Sequence, residues 1–161
     1  MGFTGVLPAT RNQRGFDSEL NKGTIKREAE LIMIADGGRI FKFPVRFKPM
    51  LIGRANNIDQ EMFEKHLSLG PILDHKNASV DRIIMPDLPL TKNISSYGHC
   101  KIVWKLLQKD NRNIYHWICE LQDTSTNGTI VNKEKVHLGK KELVNRSHIE
   151  IGIYKFQIIY P

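Results

Sequence analysis

Short apolar segments separated by turn signals occupy the chain from residue 28 onward and constrain its fold more than any other feature. The segments are "AELIMIA", "RIFKFPV", "FKPMLIGR", "DRIIMP", "HCKIVWKLL", "IYHWICELQD", "TIVN", "HIEIG" and "YKFQIIY". Turn residues recur roughly every eight to twelve positions, and helical periodicity is rare, which is typical of a β-sandwich or a β-barrel. The sequence therefore predicts an all-β domain.

Two parts of the chain depart from this pattern. Residues 1–27 are polar, basic and aperiodic, so we expect a flexible basic leader before a β domain at 28–161. Residues 56–80 interrupt the strands, and "DQEMFEKHLSL" within them has apolar residues near helical spacing. We expect an inserted loop or a short helix there. The 161 residues suit one domain, and no run is apolar enough to predict a membrane span or a secretory signal.

The charge balance favours an anionic partner. Lys and Arg total 24 against 17 Asp and Glu, a net charge of +7, which suits phosphate, an acidic protein surface or nucleic acid. A basic nucleic-acid-binding β domain is thus an alternative function. Cys100 and Cys119 lie in apolar segments without a Cys/His cluster, so we expect buried free thiols in a reducing compartment. The isolated His66 and His75 do not predict a metal site, and no cofactor is expected.

The segment "LQDTSTNGTIVN" (121–132) carries more polar chemistry than a hairpin turn needs. Asn127-Gly128 is a turn signal, and glycine permits the positive φ of such a turn. Asp123 and Ser125 are placed to brace the turn through backbone amides. Thr126 and Asn127 would then point outward, where a hydroxyl can donate to phosphate and an amide can both donate and accept.

Two other segments carry similar chemistry. Arg54 follows Gly53 at the end of an apolar segment, and its planar fork of donors suits phosphate oxygens. In "SSYGHCKI", Ser96 can donate a hydroxyl from a loop, whereas His99 is interpreted as a structural histidine. Ser, His and Asp do occur together, but their spacing fits no nucleophile elbow. We therefore do not expect a hydrolase or another enzyme.

The succession of "GR", "S-x-x-H", "D-x-S-T-N-G-T-x-V-N" and "HIEIG" resembles the forkhead-associated (FHA) domain family over most of residues 29–160. The resemblance implies an eleven-stranded, antiparallel-rich β-sandwich whose loops at one end bind phosphothreonine peptides. It implies that phosphate is bound by Arg54, Ser96 and Thr126. It implies peptide contacts by Asn127 and Tyr97. It also implies structural support of the site by Gly53, His99, Asp123, Ser125, Gly128 and Asn132.

The sequence departs from the family pattern in places. A long stretch separates Arg54 from "DRIIMP", which bears on the rim of the site, and Lys133 stands where many members have glycine. Candidates for contacting acidic residues beside the phosphothreonine are Lys92, Arg82, Lys133 and Lys135. The function implied is a non-catalytic, monomeric signalling adaptor that binds a phosphothreonine protein rather than a small molecule, a membrane or nucleic acid. We expect it to belong to a larger nuclear signalling or transcription-related protein.

Overall fold

The computed structural model describes residues 28–35, 38–56, 61, 70–96, 98–109 and 114–161. The expected basic leader at 1–27 lies outside the described residues. So do 57–60 and 62–69, which include all of "DQEMFEKHLSL" except Glu61. Residues 70–80, the remainder of the expected insertion, are described.

The described residues form twelve strands and one short 3-10 helix, Pro89–Thr91. The strands are β1 Ala29–Ile34, β2 Ile40–Val45, β3 Met50–Arg54, β4 Ile72–Asp74, β5 Asp81–Met85, β6 Cys100–Lys109, β7 Ile114–Asp123, β8 Thr129–Val131, β9 Glu134–Val136, β10 Lys140–Leu143, β11 His148–Ile151 and β12 Tyr154–Ile159. The all-β prediction is confirmed, with one strand more than the eleven implied by the resemblance. The strands absent from the sequence reading are β4, β9 and β10, which have three or four residues each.

The strands make two six-stranded sheets. One has the order β9-β8-β11-β12-β1-β2, and the other has the order β10-β7-β6-β3-β5-β4. Most neighbours are antiparallel, but β3 and β5 run parallel, with Arg54 beside Met85 at one end and Met50 beside Asp81 at the other. This pairing fixes which loops share an end of the sandwich with Arg54.

The core comes from the inward positions of both sheets. Along β1, Ala29, Leu31 and Met33 are buried while Glu30 and Ile34 are exposed, the alternation that a strand requires. Large side chains of this kind each contribute about 1.5–3 kcal/mol when fully buried. The two cysteines are free and buried, as the sequence predicts, and burial raises the pKa of each thiol to about 12.

The chain divides into two compact units. Residues 29–105 and 118–161 form the larger one, which contains the hydrophobic core and the described residues of the candidate site. In the smaller one, the described residues are 28, the last four residues of β6 (106–109) and the first four of β7 (114–117). In this unit Leu106, Ile114 and Tyr115 are exposed. Among the helices that the structure describes, none is long and apolar enough to cross a membrane.

Candidate functional site

A buried carboxylate organises the turn between β7 and β8. Asp123 is 4% exposed. Its Oδ1 accepts hydrogen bonds from the hydroxyls of Ser125 and Thr129, both at 2.7 Å. Its Oδ2 accepts from the backbone N–H groups of Ser125 at 3.2 Å and Leu138 at 2.8 Å. Ser125 Oγ in turn accepts from the Gly128 N–H at 2.7 Å, so one acid ties both sides of the turn together.

The acid at this turn is ionised at neutral pH. Burial alone would raise the pKa of Asp123, but the hydrogen bonds from Leu138, Ser125 and Thr129 outweigh burial, and its pKa lies below the ordinary value. Each of these donors is uncharged. The turn therefore keeps a buried charge without using any lysine or arginine.

His99 joins this turn to the loop that precedes β6. The Ser95 N–H donates to His99 Nδ1 at 3.0 Å, so the ring proton lies on Nε2, which donates to the Gly128 carbonyl at 2.9 Å. His99 is 1% exposed. Burial lowers its pKa, and the Gly128 carbonyl and the Asp123 carboxylate oppose that shift without cancelling it. A neutral, enclosed imidazole with both nitrogens engaged braces the two loops.

Further hydrogen bonds connect the same two loops nearer the surface. The Thr126 N–H donates to Ser95 Oγ at 3.1 Å, and Asn127 Nδ2 donates to the Asn93 carbonyl at 2.9 Å. Thr124 Oγ1 donates to the Gly98 carbonyl at 2.8 Å. The side chains of Thr126 and Asn127 are exposed above these contacts.

Arg54 is anchored to the loop before β6 by backbone and side chain. Its N–H donates to the Ser95 carbonyl at 3.0 Å, and Arg54 and Ser96 form a parallel β-bridge. Its Nε donates to the Ile94 carbonyl at 2.9 Å. Arg54 and Thr126 are thus both bonded to Ser95, so the three predicted phosphate-binding residues lie on segments that meet at one end of the sandwich.

The guanidinium also contacts a carboxylate. Arg54 Nη1 donates to Asp87 Oδ1 at 3.0 Å, and Lys92 Nζ donates to the same oxygen at 2.8 Å. The hydrogen bond from Lys92 lowers the pKa of Asp87, and the bond from Arg54 adds to this effect. Partial burial acts in the opposite direction but is outweighed, so the pKa lies below its ordinary value. Buried Thr91 fixes the intervening segment, because its hydroxyl donates to the Pro86 carbonyl at 2.8 Å and accepts from the Leu88 N–H at 2.9 Å.

Two glycines allow close packing beneath these loops. Gly128 has φ +88°, and a Cβ there would lie 2.7 Å from Cε of Lys135. Gly152 has φ +57°, and a Cβ there would lie 2.6 Å from Cγ1 of Ile94, whose carbonyl holds Arg54. Gly53 is buried within β3 beside Ile84. A side chain at 152 would therefore displace the loop that holds Arg54.

Two predicted site residues remain, Asn132 and Tyr97. Asn132 lies in the β8–β9 turn, where its Oδ1 accepts from the His148 N–H at 2.9 Å and its Nδ2 donates to Ser147 Oγ at 3.4 Å. Tyr97 lies outside the described residues.

The four basic candidates for contacts beside the phosphothreonine also separate. Lys92 and Lys135 lie at the Arg54 end of the domain. Lys92 donates a hydrogen bond to Asp87, and the Lys135 side chain packs against Gly128. Lys133 lies in the β8–β9 turn at the other end of β8, and Arg82 lies beside Leu51, three positions along β3 from Arg54.

Sequence reasoning missed several residues that build the site. Ser95, Asn93 and Ile94 hold Thr126, Asn127 and Arg54 respectively, two of them through backbone carbonyls that no residue type can signal. Thr129 and Asp87 were also missed. The available signals were the Ser-Ser pair at 95–96 and the hydroxyl of Thr129 just after the turn.

Arg54 pairs with the exposed residue Ser96 through the backbone, and the exposed residue Thr126 is bonded to the neighbouring Ser95. The side chains of Arg54, Ser96 and Thr126 can all donate hydrogen bonds, and guanidinium forks suit phosphate oxygens. Within the described part of the chain, no three His, Cys, Asp or Glu side chains are grouped so as to hold a metal ion. Donor groups of this kind can bind an anion.

Comparisons with known proteins agree with this fold. The FHA domain family model matches residues 82–152. The solved yeast Dun1 FHA domain, in complex with a doubly phosphorylated (pT) peptide derived from Rad53, aligns with TM-score 0.51 and 17% identity over 89% of this chain and 81% of its own. The MEK1 FHA domain aligns with TM-score 0.50 and 16% identity over 83% and 89%. No curated protein sequence matches the chain. The resemblance predicted from the sequence is confirmed: residues 82–152 match the FHA domain family model, and the β-sandwich is similar to solved FHA domains.

Proposed function

We propose that this domain is a phosphothreonine-dependent peptide-binding module without catalytic activity. The observation that carries the proposal is the convergence on Ser95, whose backbone carbonyl accepts from Arg54 and whose hydroxyl accepts from Thr126. One residue thereby holds together two segments that lie far apart in the sequence. Ser96, the next residue, adds an exposed hydroxyl beside Arg54.

The chemistry of these groups suits a phosphate ester. A phosphothreonine carries about −1.5 to −2 charges and three acceptor oxygens at neutral pH. Arg54 and two hydroxyls donate to such oxygens, and hydrogen bonds to charged groups are worth about 1.5–3 kcal/mol each. The exposed amide of Asn127 adds a group that can contact a peptide main chain. An unphosphorylated threonine would forgo the charged bonds.

The donor groups of this surface are held in place before a ligand binds. The network around Asp123, the neutral imidazole of His99 and the Nε bond of Arg54 fix the loops before any ligand arrives. Donors held in place lose little conformational entropy on binding. The complex of the yeast Dun1 FHA domain with a phosphorylated peptide gives further support to this choice of ligand.

Calorimetric titration with a phosphothreonine peptide and its unphosphorylated twin tests the proposal. Peptides are first selected from an oriented phosphothreonine library. We expect micromolar binding of the phosphorylated peptide and binding at least about tenfold weaker without the phosphate. Arg54→Ala should remove this difference, and Arg54→Lys should restore part of it because a lysine keeps the charge but loses the planar fork.

Arg146→Ala is a matched control, since the exposed Arg146 lies in the β10–β11 turn beside Ile158, at the other end of β12 from Gly152 and the loop that holds Arg54. It should bind the phosphopeptide as the wild type does. Equal binding of both peptides by the wild type would overturn the proposal. A random oligonucleotide that bound with a steep salt dependence would favour the nucleic-acid alternative. Membership of a larger nuclear signalling protein, and a monomeric state, stay predictions.

A further inference from the structure

The Asp87 carboxylate occupies a position that an anion from outside could also take. Its Oδ1 lies 3.0 Å from Arg54 Nη1 and 2.8 Å from Lys92 Nζ, so one oxygen sits between two cations. Carboxylate and phosphate oxygens accept from the same donors. This oxygen position lies on the guanidinium that the proposed function assigns to phosphate.

Arg54 does not depend on Asp87 for its placement. Its backbone is bonded to Ser95, and its Nε donates to the Ile94 carbonyl, independently of the Nη1 contact. Thr91 holds the segment that carries Asp87 and Lys92 by bonds to Pro86 and Leu88. Removal of the Asp87 charge therefore leaves the two cations on the same supports.

Asp87 and Lys92 both have room to move. Their side chains are 31% and 61% exposed, whereas that of Arg54 is 21% exposed. The ion pairs they make are close to solvent, so each is weak enough to exchange with an arriving anion. A ligand oxygen could take the place of Asp87 Oδ1 without disturbing the buried part of the site.

We propose that a phosphate oxygen of the ligand displaces Asp87 Oδ1 from between Arg54 and Lys92. Lys92 then becomes a further phosphate-binding residue, and Asp87 is an internal competitor that lowers the affinity. This inference rests on the proposed function and deepens it. The sequence alone predicted that Lys92 contacts an acidic peptide residue beside the phosphothreonine. In the structure Lys92 and Arg54 contact the same oxygen of Asp87, so we assign Lys92 to the phosphate itself.

Two substitutions with opposite expected effects test the idea by calorimetry with the selected phosphothreonine peptide. Lys92→Gln should weaken binding about fivefold, because a cation at the phosphate is lost. Asp87→Asn should tighten binding about threefold, because the competing charge is lost while the shape is kept. Lys42→Gln and Glu142→Gln, exposed residues on β2 and β10, are the charge-matched controls and should leave the affinity unchanged.

The double variant adds a sharper readout. In the wild type Lys92 must leave Asp87 to reach the phosphate, whereas in Asp87→Asn it has no charged competitor. Lys92→Gln should therefore cost more affinity in the Asp87→Asn background than in the wild type, a non-additive result expected of groups that share one position.

The outcomes separate this inference from the proposed function. If the wild type does not distinguish phosphorylated from unphosphorylated peptide, the proposed function fails first. If it does so through Arg54, but Asp87→Asn binds more weakly, Asp87 positions Arg54 and the competitor idea is overturned. If Lys92→Gln changes binding no more than Lys42→Gln does, Lys92 is not at the phosphate.

Discussion

Two buried carboxylates at opposite ends of the sandwich are stabilised in different ways. Asp123, at the end that carries the candidate site, accepts four hydrogen bonds from uncharged groups of Ser125, Thr129 and Leu138. Asp81, at the start of β5, is fully buried. It contacts three basic side chains, with Arg46 at 3.4 Å, Lys48 at 3.1 Å and His75 at 3.3 Å.

The strand register separates the two groups. Asp81 lies beside Met50 at the start of β3, and Arg54 lies at the end of that strand. Four residues of extended chain span about 13 Å. The cations around Asp81 therefore serve a different end of the domain from the one that holds Arg54.

The contrast shows where basic residues remain available for a ligand. At the Asp81 end, three basic side chains surround an acid of the protein itself. At the Asp123 end, neutral hydroxyls and amides satisfy the buried charge, which leaves Arg54 and Lys92 with one partly exposed carboxylate, that of Asp87, between them. The net charge of +7 alone does not distinguish these two ends, so the candidate site follows from the way each acid is satisfied.

Both acids contribute stability above mildly acidic pH. Burial would raise the pKa of Asp81, but the contacts from Lys48 and His75 outweigh burial and lower it, and hydrogen bonds lower the pKa of Asp123 in the same direction. A carboxyl whose folded pKa is lower than its unfolded pKa stabilises the fold above the unfolded value. That stabilisation is lost as the pH falls through the folded pKa.

The largest effect is expected for Asp123→Ala. The change leaves two hydroxyls and two backbone N–H groups without their acceptor, and each unsatisfied buried donor costs about 1–3 kcal/mol. We expect the free energy of unfolding, measured by urea denaturation, to fall by about 3 kcal/mol or more. Phosphopeptide affinity should also fall, because the turn that carries Thr126 loses its brace.

A milder variant keeps this prediction testable if Asp123→Ala does not fold. Thr129→Val keeps the shape of a buried side chain and removes one donor to Asp123. It should cost about 1–2 kcal/mol and weaken phosphopeptide binding, whereas Glu142→Ala at an exposed position of β10 should change neither quantity. Wild-type stability in Thr129→Val would show that the Asp123 network does not support the turn.

For Asp81→Asn we expect a smaller loss of stability than for Asp123→Ala, and no change in phosphopeptide affinity. Arg46 and Lys48 lose their counter-charge, but their side chains are 41% and 25% exposed and water can solvate them. We expect a loss of about 2 kcal/mol in the free energy of unfolding. Phosphopeptide affinity should match the wild type, because the cluster lies at the other end of the domain.

Salt sharpens this comparison. Ion pairs near solvent are screened by salt, whereas hydrogen bonds to neutral donors are much less so. The stability difference between wild type and Asp81→Asn should therefore shrink between low and high sodium chloride, while that for Thr129→Val should not. A loss of phosphopeptide affinity in Asp81→Asn comparable to that in Thr129→Val would break the separation of the two ends.

Sequence reading recovered what depends on local pattern. The long apolar strands, the turn at Asn127-Gly128 and the succession of Arg54, Ser96 and Thr126 were readable, because alternation and residue chemistry are visible along a chain. The cluster around Asp81 was not readable, since Arg46, Lys48 and His75 come together through pairing of β3, β4 and β5. The roles of the Ser95 and Ile94 carbonyls depend on where loops meet, which residue type does not record.

Lys133 has a strained backbone conformation. The sequence indicated the position, where many FHA domains have glycine, but not the φ angle. In the β8–β9 turn Asn132 and Lys133 have φ of 50° and 70°. This left-handed conformation costs a side-chain-bearing residue roughly 1–2 kcal/mol, and glycine adopts it freely. Two-residue hairpin turns of this kind favour Asn-Gly.

The smallest expected effect is thus a gain, from Lys133→Gly. Relief of the backbone strain should raise the free energy of unfolding by about 1 kcal/mol, and Tm by about 3 °C. Asn132→Gly is the matched control: it relieves a similar φ but loses the bonds to His148 and Ser147, so it should not stabilise. Since this turn lies at the far end of β8 from Thr126, neither variant should change phosphopeptide affinity. A change in affinity with Lys133→Gly would mean that the binding end responds to the opposite end, contrary to the division drawn from Asp123 and Asp81.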